Sequence, residues 1–143
     1  MVQGMPGVSD HRELDVWKLS DELRTRVTEV VARPIFDKHP GLRRQLREAA
    51  ESAPPNLAEG FSRFYPTDNA MFVRIAKASL TEVIEHLRRA QALKLIESGE
   101  CEELVRLGRR ARGAATRYVI YLESAEAPDS PASRRRPKHK RWK

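Results

Sequence analysis

The sequence is short of cysteine, of aromatic residues and of long apolar runs, and two of these shortages exclude whole classes of protein. Cys101 is the only cysteine among 143 residues, which excludes a disulfide scaffold and a paired-cysteine redox or zinc site. No apolar run approaches the roughly 18 residues that a membrane helix needs. Residues 1–10 lack the basic and apolar regions of a secretory signal. We therefore expect a protein of the reducing cytoplasm that has no membrane partner.

What the chain has in excess is positive charge, and much of it lies towards the C-terminal end. Lysine and arginine total 27 against 20 acidic residues, which gives a formal net charge of +7. The composition changes to proline, serine, alanine and arginine after residue 123, and this segment holds seven of the cations and two of the acids. We predict a disordered N-terminus at 1–9, one helical domain at 10–123 and a disordered basic tail at 124–143.

Apolar residues recur at helical spacing in four stretches, and proline or glycine separates the stretches. The pattern predicts helices over about 10–33, 42–64, 68–96 and 100–123. We expect Ser98-Gly99 to end the third of them, because glycine is a common signal for a helix C-terminus. No strand pattern and no internal repeat is found, and the connectors are short. These features predict an all-α, up-down-up-down four-helix bundle.

Two adjacent prolines interrupt the second helix. Pro54 and Pro55 lack the backbone N–H that a helix interior requires, so we predict that the helix is kinked there and divided into two pieces. Three polar residues lie close to the apolar stripes, namely Asn56, Glu59 and Ser79. Buried polar groups need hydrogen-bond partners. We interpret these residues as structural groups that satisfy the kinked backbone and fix helix register, and a ligand site is the alternative.

The third helix carries a second apolar row beside its main stripe. The row consists of Val73, Leu80, Ile84 and Leu95. It widens the apolar arc to about 200°, roughly twice what the core of a bundle requires. A monomer would expose such a row as a sizeable apolar patch. We therefore predict a homo-oligomer whose interface is formed by these four residues.

No arrangement of residues that would support catalysis is found in the sequence. The nearest approach to a carboxylate-bridged metal site is the group Glu82, Glu85 and His86, but the Glu-x-x-His spacing is absent and there is no second copy. Residues 60–64 begin like a nucleophile elbow but lack its closing glycine. We expect a protein that is not an enzyme and that uses no metal or cofactor.

The strongest functional signal is a set of arginines on the polar face of the fourth helix. These are Arg106, Arg109, Arg110 and Arg117. The tail adds a second group of cations, namely Arg134, Arg135, Arg136, Lys138, Lys140, Arg141 and Lys143. Clustered cations are typical of proteins that contact nucleic-acid phosphates. The alternative for the helix is an ordinary solvated polar face.

Three segments of the sequence resemble one known family. They are LDVWK at 14–18, QLREAAESAPPNLAEGF at 45–61 and FVRIAKASLTE at 72–82. Together they resemble the bacterial four-helix bundle proteins called 23S rRNA-intervening sequence proteins, also labelled S23 ribosomal proteins, over about 13–123. The Pro-x-Asn-x-Ala-Glu-Gly segment is the most specific mark. The sequence departs from the family pattern at His11, where an aromatic residue is usual, and at Ala78, where glycine is usual.

The resemblance implies a left-handed bundle that assembles as a ring-like homopentamer. The family is similar to the accessory bundle proteins of diversity-generating retroelements, which bind nucleic acid and a reverse transcriptase through basic surfaces. No catalytic residue is carried over from it. The residues and the resemblance together favour an oligomeric, non-enzymatic module that binds RNA or DNA. The alternative is a protein–protein interaction scaffold that recruits a reverse transcriptase or another protein, with a tail that serves only solubility.

Overall fold

Four α-helices form the structure. The computed structural model describes residues 8–124 and 127, and this part of the chain contains helices and no strand. The α-helices are α1 (Asp15–Val31), α2 (Pro40–Phe61), α3 (Pro66–Ala92) and α4 (Ser98–Leu122). Short 3-10 helices at His11–Glu13 and Pro34–Phe36 precede α1 and α2. None of the described helices is long and apolar enough to cross a membrane. The prediction of an all-α protein with four helices is confirmed.

The helix ends follow from local backbone chemistry. Pro40 and Pro66 stand at the start of α2 and α3, where an intrahelical partner for the N–H would be missing in any case. Lys94, just after α3, has a φ of 61°, the left-handed conformation that glycine usually adopts at a helix end. The prediction that Ser98-Gly99 ends the third helix is therefore wrong. The helix α3 ends at Ala92, and Ser98 is the first residue of α4.

Helix α2 runs unbroken through its two prolines, so the prediction that it is divided into two pieces is wrong. Pro54 and Pro55 have no backbone N–H to donate to the carbonyls of Ala50 and Glu51, so two helical hydrogen bonds are missing at this point. Pro54 is buried in the core, and Pro55 lies on the exposed side of the helix. Packing of Pro54 and its apolar neighbours in the core holds the segment helical despite the missing donors.

Adjacent helices run antiparallel, which confirms the up-down-up-down order. On α1 and α4, Arg26 pairs with Glu103. Just beyond the end of α1, Arg33 pairs with Glu100, which lies earlier in α4. The corresponding contacts between α3 and α4 are Asn69 with Tyr118 and Leu87 with Cys101. Each helix packs mainly on two neighbours, so α2 lies diagonally opposite α4.

The second apolar row of α3 belongs to the core of the single chain. Val73 and Leu80 are fully buried, and Ile84 and Leu95 are 2% and 7% exposed. These four side chains are therefore not available to form an oligomer interface, contrary to the prediction. Because α3 packs against α2 on one side and α4 on the other, its wide apolar arc is needed to cover both neighbours.

A small hydrogen-bond network at Ser52 joins α2 to α3. The hydroxyl of Ser79 on α3 donates to Oγ of Ser52 at 2.8 Å, and Nδ2 of Asn56 donates to the Ser52 carbonyl at 2.8 Å. Ser79 thus joins α3 to α2, whereas both contacts of Asn56 lie within α2, and the carbonyl that Asn56 contacts is not one that the prolines deprive of a donor. Glu59 takes no part, because it pairs with Arg63 at 2.9 Å on the solvent side of α2. The structural role predicted for Glu59 is wrong.

Candidate nucleic-acid interface

Helix α4 separates its charges along its length. Its acids lie in the first two turns, at Glu100, Glu102 and Glu103, and Glu123 follows its last residue. Between these acids every charged residue is an arginine, and four of the five are exposed. We call these four the arginine strip: Arg106, Arg109, Arg110 and Arg117. The helical rise gives the strip a length of about 17 Å.

One acid at each end of α4 is paired with an arginine from another part of the bundle. Glu100 accepts hydrogen bonds at 2.6 and 2.8 Å from the guanidinium of Arg33, which follows the end of α1, and this partner lowers the pKa of the Glu100 carboxyl. Glu123 is paired with Arg74 of α3, which lowers the pKa of Glu123 in the same way. Within residues 8–124, no guanidinium of the arginine strip is paired with a carboxylate. The strip therefore keeps its full positive charge.

A groove between α1 and α4 lies beside the arginine strip. It has a volume of about 490 Å³. Its lining residues are Asp15, Lys18, Leu19, Arg109, Arg110, Gly113 and Arg117. Lys18 adds a cation from the opposite side of the groove, and Asp15 is the one acid among the described residues that line it. Four cations against one acid favour an anionic occupant.

A second cavity, of about 360 Å³, lies between the C-terminal part of α3 and the first half of α4. Its lining residues are Arg88, Gln91, Ser98, Cys101, Glu102, Val105, Arg106 and Arg109. Arg109 lines both cavities, so the arginine strip connects them. Neither Lys18 nor Arg88 is predicted from the sequence, because each lies on another helix. The antiparallel pairing of α1 with α4 is the signal that points to Lys18, since it places early positions of α1 beside late positions of α4.

The arrangement supplies charge and hydrogen-bond donors. A guanidinium presents a planar fork of N–H groups that matches the oxygens of a phosphate.

Cys101 is buried, and this burial raises the pKa of its thiol, with a further rise from the nearby Glu102 carboxylate. A thiol of this kind stays protonated and is a poor nucleophile. In the part of the chain that the structure describes, no group of three or more His, Cys, Asp or Glu side chains could hold a metal ion.

The other predicted binding residues belong to the tail. Arg134, Arg135, Arg136, Lys138, Lys140, Arg141 and Lys143 all lie outside the described residues. Within the described residues, the candidate interface therefore consists of cations on the bundle.

The fold and the arginine strip place this protein in the class of small antiparallel four-helix bundles. Within that class, a family model described as 23S rRNA-intervening sequence protein matches residues 12–112. This match covers most of the bundle, and the chain belongs to that family, which confirms the resemblance. No curated protein sequence matches the chain. The matched region ends inside α4, so Gly113 and Arg117 lie just beyond it.

Proposed function

We propose that this protein is a non-catalytic, cytoplasmic module that binds RNA or DNA through the phosphate backbone, using the arginine strip and the basic tail. The observation that carries the proposal is the pairing pattern of the arginines. Arg26 of α1, Arg33 just after α1 and Arg74 of α3 are paired with carboxylates of α4 or its end. The strip on α4 itself has no carboxylate partner within residues 8–124.

An unpaired strip is costly to a helix, and a polyanion would remove that cost. Arg106 and Arg110 lie four residues apart, and like charges at this spacing destabilise a helix by a few tenths of a kcal/mol per pair. Phosphates bound along the strip would neutralise the repulsion and release their own counterions. The family name refers to ribosomal RNA, which is compatible with such a ligand.

The test is a salt titration of nucleic-acid binding, measured by fluorescence polarisation with RNA and DNA of matched length. The double substitution Arg109→Gln with Arg110→Gln should lower affinity about tenfold or more near 50 mM salt. It should also reduce the slope of log affinity against log salt by up to about 1.8 on duplex, since each phosphate contact contributes about 0.9. The matched control is Arg44→Gln with Arg47→Gln on α2, which removes the same charge from the diagonally opposite helix.

The proposal predicts a small effect for the control pair and a large effect for the strip pair. Equal losses in the two double variants would mean that only net charge matters and that the strip is not a site. Failure of the unaltered protein to bind either polymer near 50 mM salt would remove the nucleic-acid function altogether.

Exposed apolar residues on α3 favour a second function, that of an oligomeric scaffold. Met71 and Ile75 are 60% and 47% exposed and lie one turn apart. Such a pair is suited to contact with another copy of the chain, up to the homopentamer that the family resemblance implies, or with a partner such as a reverse transcriptase. In this function the tail serves solubility and the arginine strip is a solvated face.

A further inference from the structure

Gly113 lies in the interior of α4, and the fold does not require a glycine there. Glycine is a poor helix former, so a helix-interior glycine usually has a packing reason. At Gly60 a Cβ would lie 2.6 Å from Oδ1 of Asn69, and at Gly108 it would lie 3.0 Å from Cγ1 of Ile84. At Gly113 a Cβ would meet only Nη1 of Arg117, at 3.4 Å, which is the flexible end of a side chain.

The position of Gly113 is unusual in a second respect, because it forms part of the floor of the α1–α4 groove. Arg109 and Arg110 lie one turn before it on α4, and Arg117 lies one turn after it. The missing side chain exposes the helix backbone between these cations. Glycine is the residue that permits close approach of a ligand backbone to a protein backbone.

We propose that Gly113 is the point where a phosphodiester backbone approaches α4 most closely, with phosphates held by Arg109 and Arg110 on one side and Arg117 on the other. This inference rests on the nucleic-acid function proposed above and adds the path of the ligand to it. The α4 wall of the groove carries three cations and the α1 wall carries one, so the backbone follows the α4 wall. A methyl group at position 113 would add bulk between these arginines and would lie 3.4 Å from Nη1 of Arg117, in van der Waals contact with its guanidinium.

The experiment compares three substitutions in the full chain: Gly113→Ala, Gly113→Leu and Gly99→Ala. Gly99 is a matched control, because it lies in the same helix and lines neither cavity, and a Cβ at this position would meet nothing within 4 Å. Affinity for single-stranded and duplex RNA is measured by polarisation near 50 mM salt. Thermal melting and light scattering are measured on the same samples.

Both alanine variants should melt at or above the temperature of the unaltered protein, because alanine favours the helix. Gly99→Ala should bind normally. Gly113→Ala should lose affinity roughly tenfold, the loss expected for one guanidinium–phosphate hydrogen bond, and Gly113→Leu should lose more. If affinity falls for single-stranded RNA alone, the groove binds a single strand. If affinity falls for single-stranded and duplex RNA alike, the groove accepts the backbone in either form.

Three results would overturn the inference. If both Gly113 variants bind normally while Arg109→Gln with Arg110→Gln loses affinity, the proposed function stands and the path through Gly113 is wrong. If Gly113→Leu changes the size of the assembly in light scattering, a second copy of the chain fills the groove instead. If the unaltered protein binds neither RNA nor DNA, the inference is lost together with the proposed function.

Discussion

At the scale of single residues, Gly60 determines how closely α2 and α3 approach each other. A Cβ at this position would lie 2.6 Å from Oδ1 of Asn69 and 2.9 Å from Cβ of Phe72. Asn69 is buried, and its Nδ2 donates to the hydroxyl of Tyr118 at 2.9 Å, whereas its Oδ1 meets no donor among the described residues. The glycine of the Asn-x-Ala-Glu-Gly segment therefore has a packing role that the motif alone does not reveal.

We predict that Gly60→Ala destabilises the protein by about 1–3 kcal/mol, the usual cost of overpacking a core. The loss should appear even though alanine is the better helix former by about 1 kcal/mol. Gly41→Ala is the control, since a Cβ at Gly41 of the same helix meets nothing within 4 Å. Urea unfolding followed by circular dichroism measures both. Equal stability of Gly60→Ala and the unaltered protein would show that the two helices move apart without cost.

The buried hydroxyl of Tyr118 makes stability depend on alkaline pH. Burial raises the pKa of Tyr118 from 10.0 to about 12, although the hydrogen bond from Asn69 opposes the rise. Unfolding exposes a phenol that ionises near its ordinary value, so the free energy of unfolding should fall as pH rises between about 10 and 12. Tyr118→Phe should flatten this part of the decline while lowering stability at neutral pH by about 1–3 kcal/mol, because Asn69 loses its partner.

The measurement for Tyr118 is urea unfolding across this pH range, with ultraviolet absorbance of tyrosinate as a second readout. Burial also raises the pKa of Tyr121, and the last tyrosine to ionise in the folded protein should be the one that is missing in Tyr118→Phe. An identical alkaline decline in the two proteins would mean that other groups, and not this phenol, control stability there.

At the scale of helices, apolar periodicity predicts which segments are helical but not where they end or how many neighbours they have. The end of α3 is misplaced because Lys94 adopts a left-handed conformation without being glycine. The prediction of a divided α2 fails because core packing around Pro54 outweighs the lost donors. The wide apolar arc of α3 has the same pattern whether its second row contacts another subunit or another helix of the same chain. Only the packing of α3 between α2 and α4 distinguishes these cases.

The link between α2 and α3 at Ser52 leads to a prediction for Asn56. Its Nδ2 donates to the Ser52 carbonyl at 2.8 Å and to the Ser52 hydroxyl at 3.2 Å, in a half-buried setting. We expect Asn56→Ala to lower the free energy of unfolding by about 0.5–1.5 kcal/mol. Ser52→Ala should lower it by a similar amount, because it removes the hydroxyl contacts with Asn56 and Ser79 but keeps the Asn56 bond to the Ser52 carbonyl. Thermal and urea unfolding measure both variants, and Gln45→Ala at an exposed position is the control. An unchanged free energy of unfolding in Asn56→Ala would contradict this role of Asn56.

At the scale of the whole molecule, most of the net charge belongs to the tail. Residues 125–143 hold seven of the 27 cations and two of the 20 acids, so they contribute +5 of the total of +7. We predict that truncation after Ser124 leaves the bundle folded but flattens the slope of log affinity against log salt, because fewer phosphates are neutralised. Discrimination among sequences should not change, since contacts with phosphates do not read bases.

The truncated protein also isolates the arginine strip. Charge reversal at Arg109 and Arg110 in that background should abolish the residual binding, whereas reversal at Arg44 and Arg47 should not. Polarisation titrations on RNA and DNA measure the slopes. A slope that is unaltered by truncation would show that the tail contacts no phosphate and would leave the whole interface on the bundle.

The sequence predicts that the arginines share a polar face of α4, where the structure shows them exposed, but it does not predict what surrounds that face. Helical spacing is enough to place Arg106, Arg109 and Arg110 on one side of α4. It does not reveal that Glu100 is paired across the bundle with Arg33, because that contact joins residues far apart in the chain. The sequence does not predict the groove beside the strip either, since the groove exists only where α1 packs against α4.

The structure changes which residues should control self-association of the protein. Glutamate at Leu80 or Ile84 should unfold the bundle and not merely dissociate it, because both side chains are buried in a single chain. Met71 and Ile75 are exposed, so Met71→Glu with Ile75→Glu should give smaller particles by light scattering while helicity is kept. The control is Ile35→Glu, an exposed apolar residue in the connection between α1 and α2, which should leave particle size unchanged. An unaltered protein that is monomeric at micromolar concentration would exclude the oligomer, and an assembly unaffected by the double variant would place its interface elsewhere.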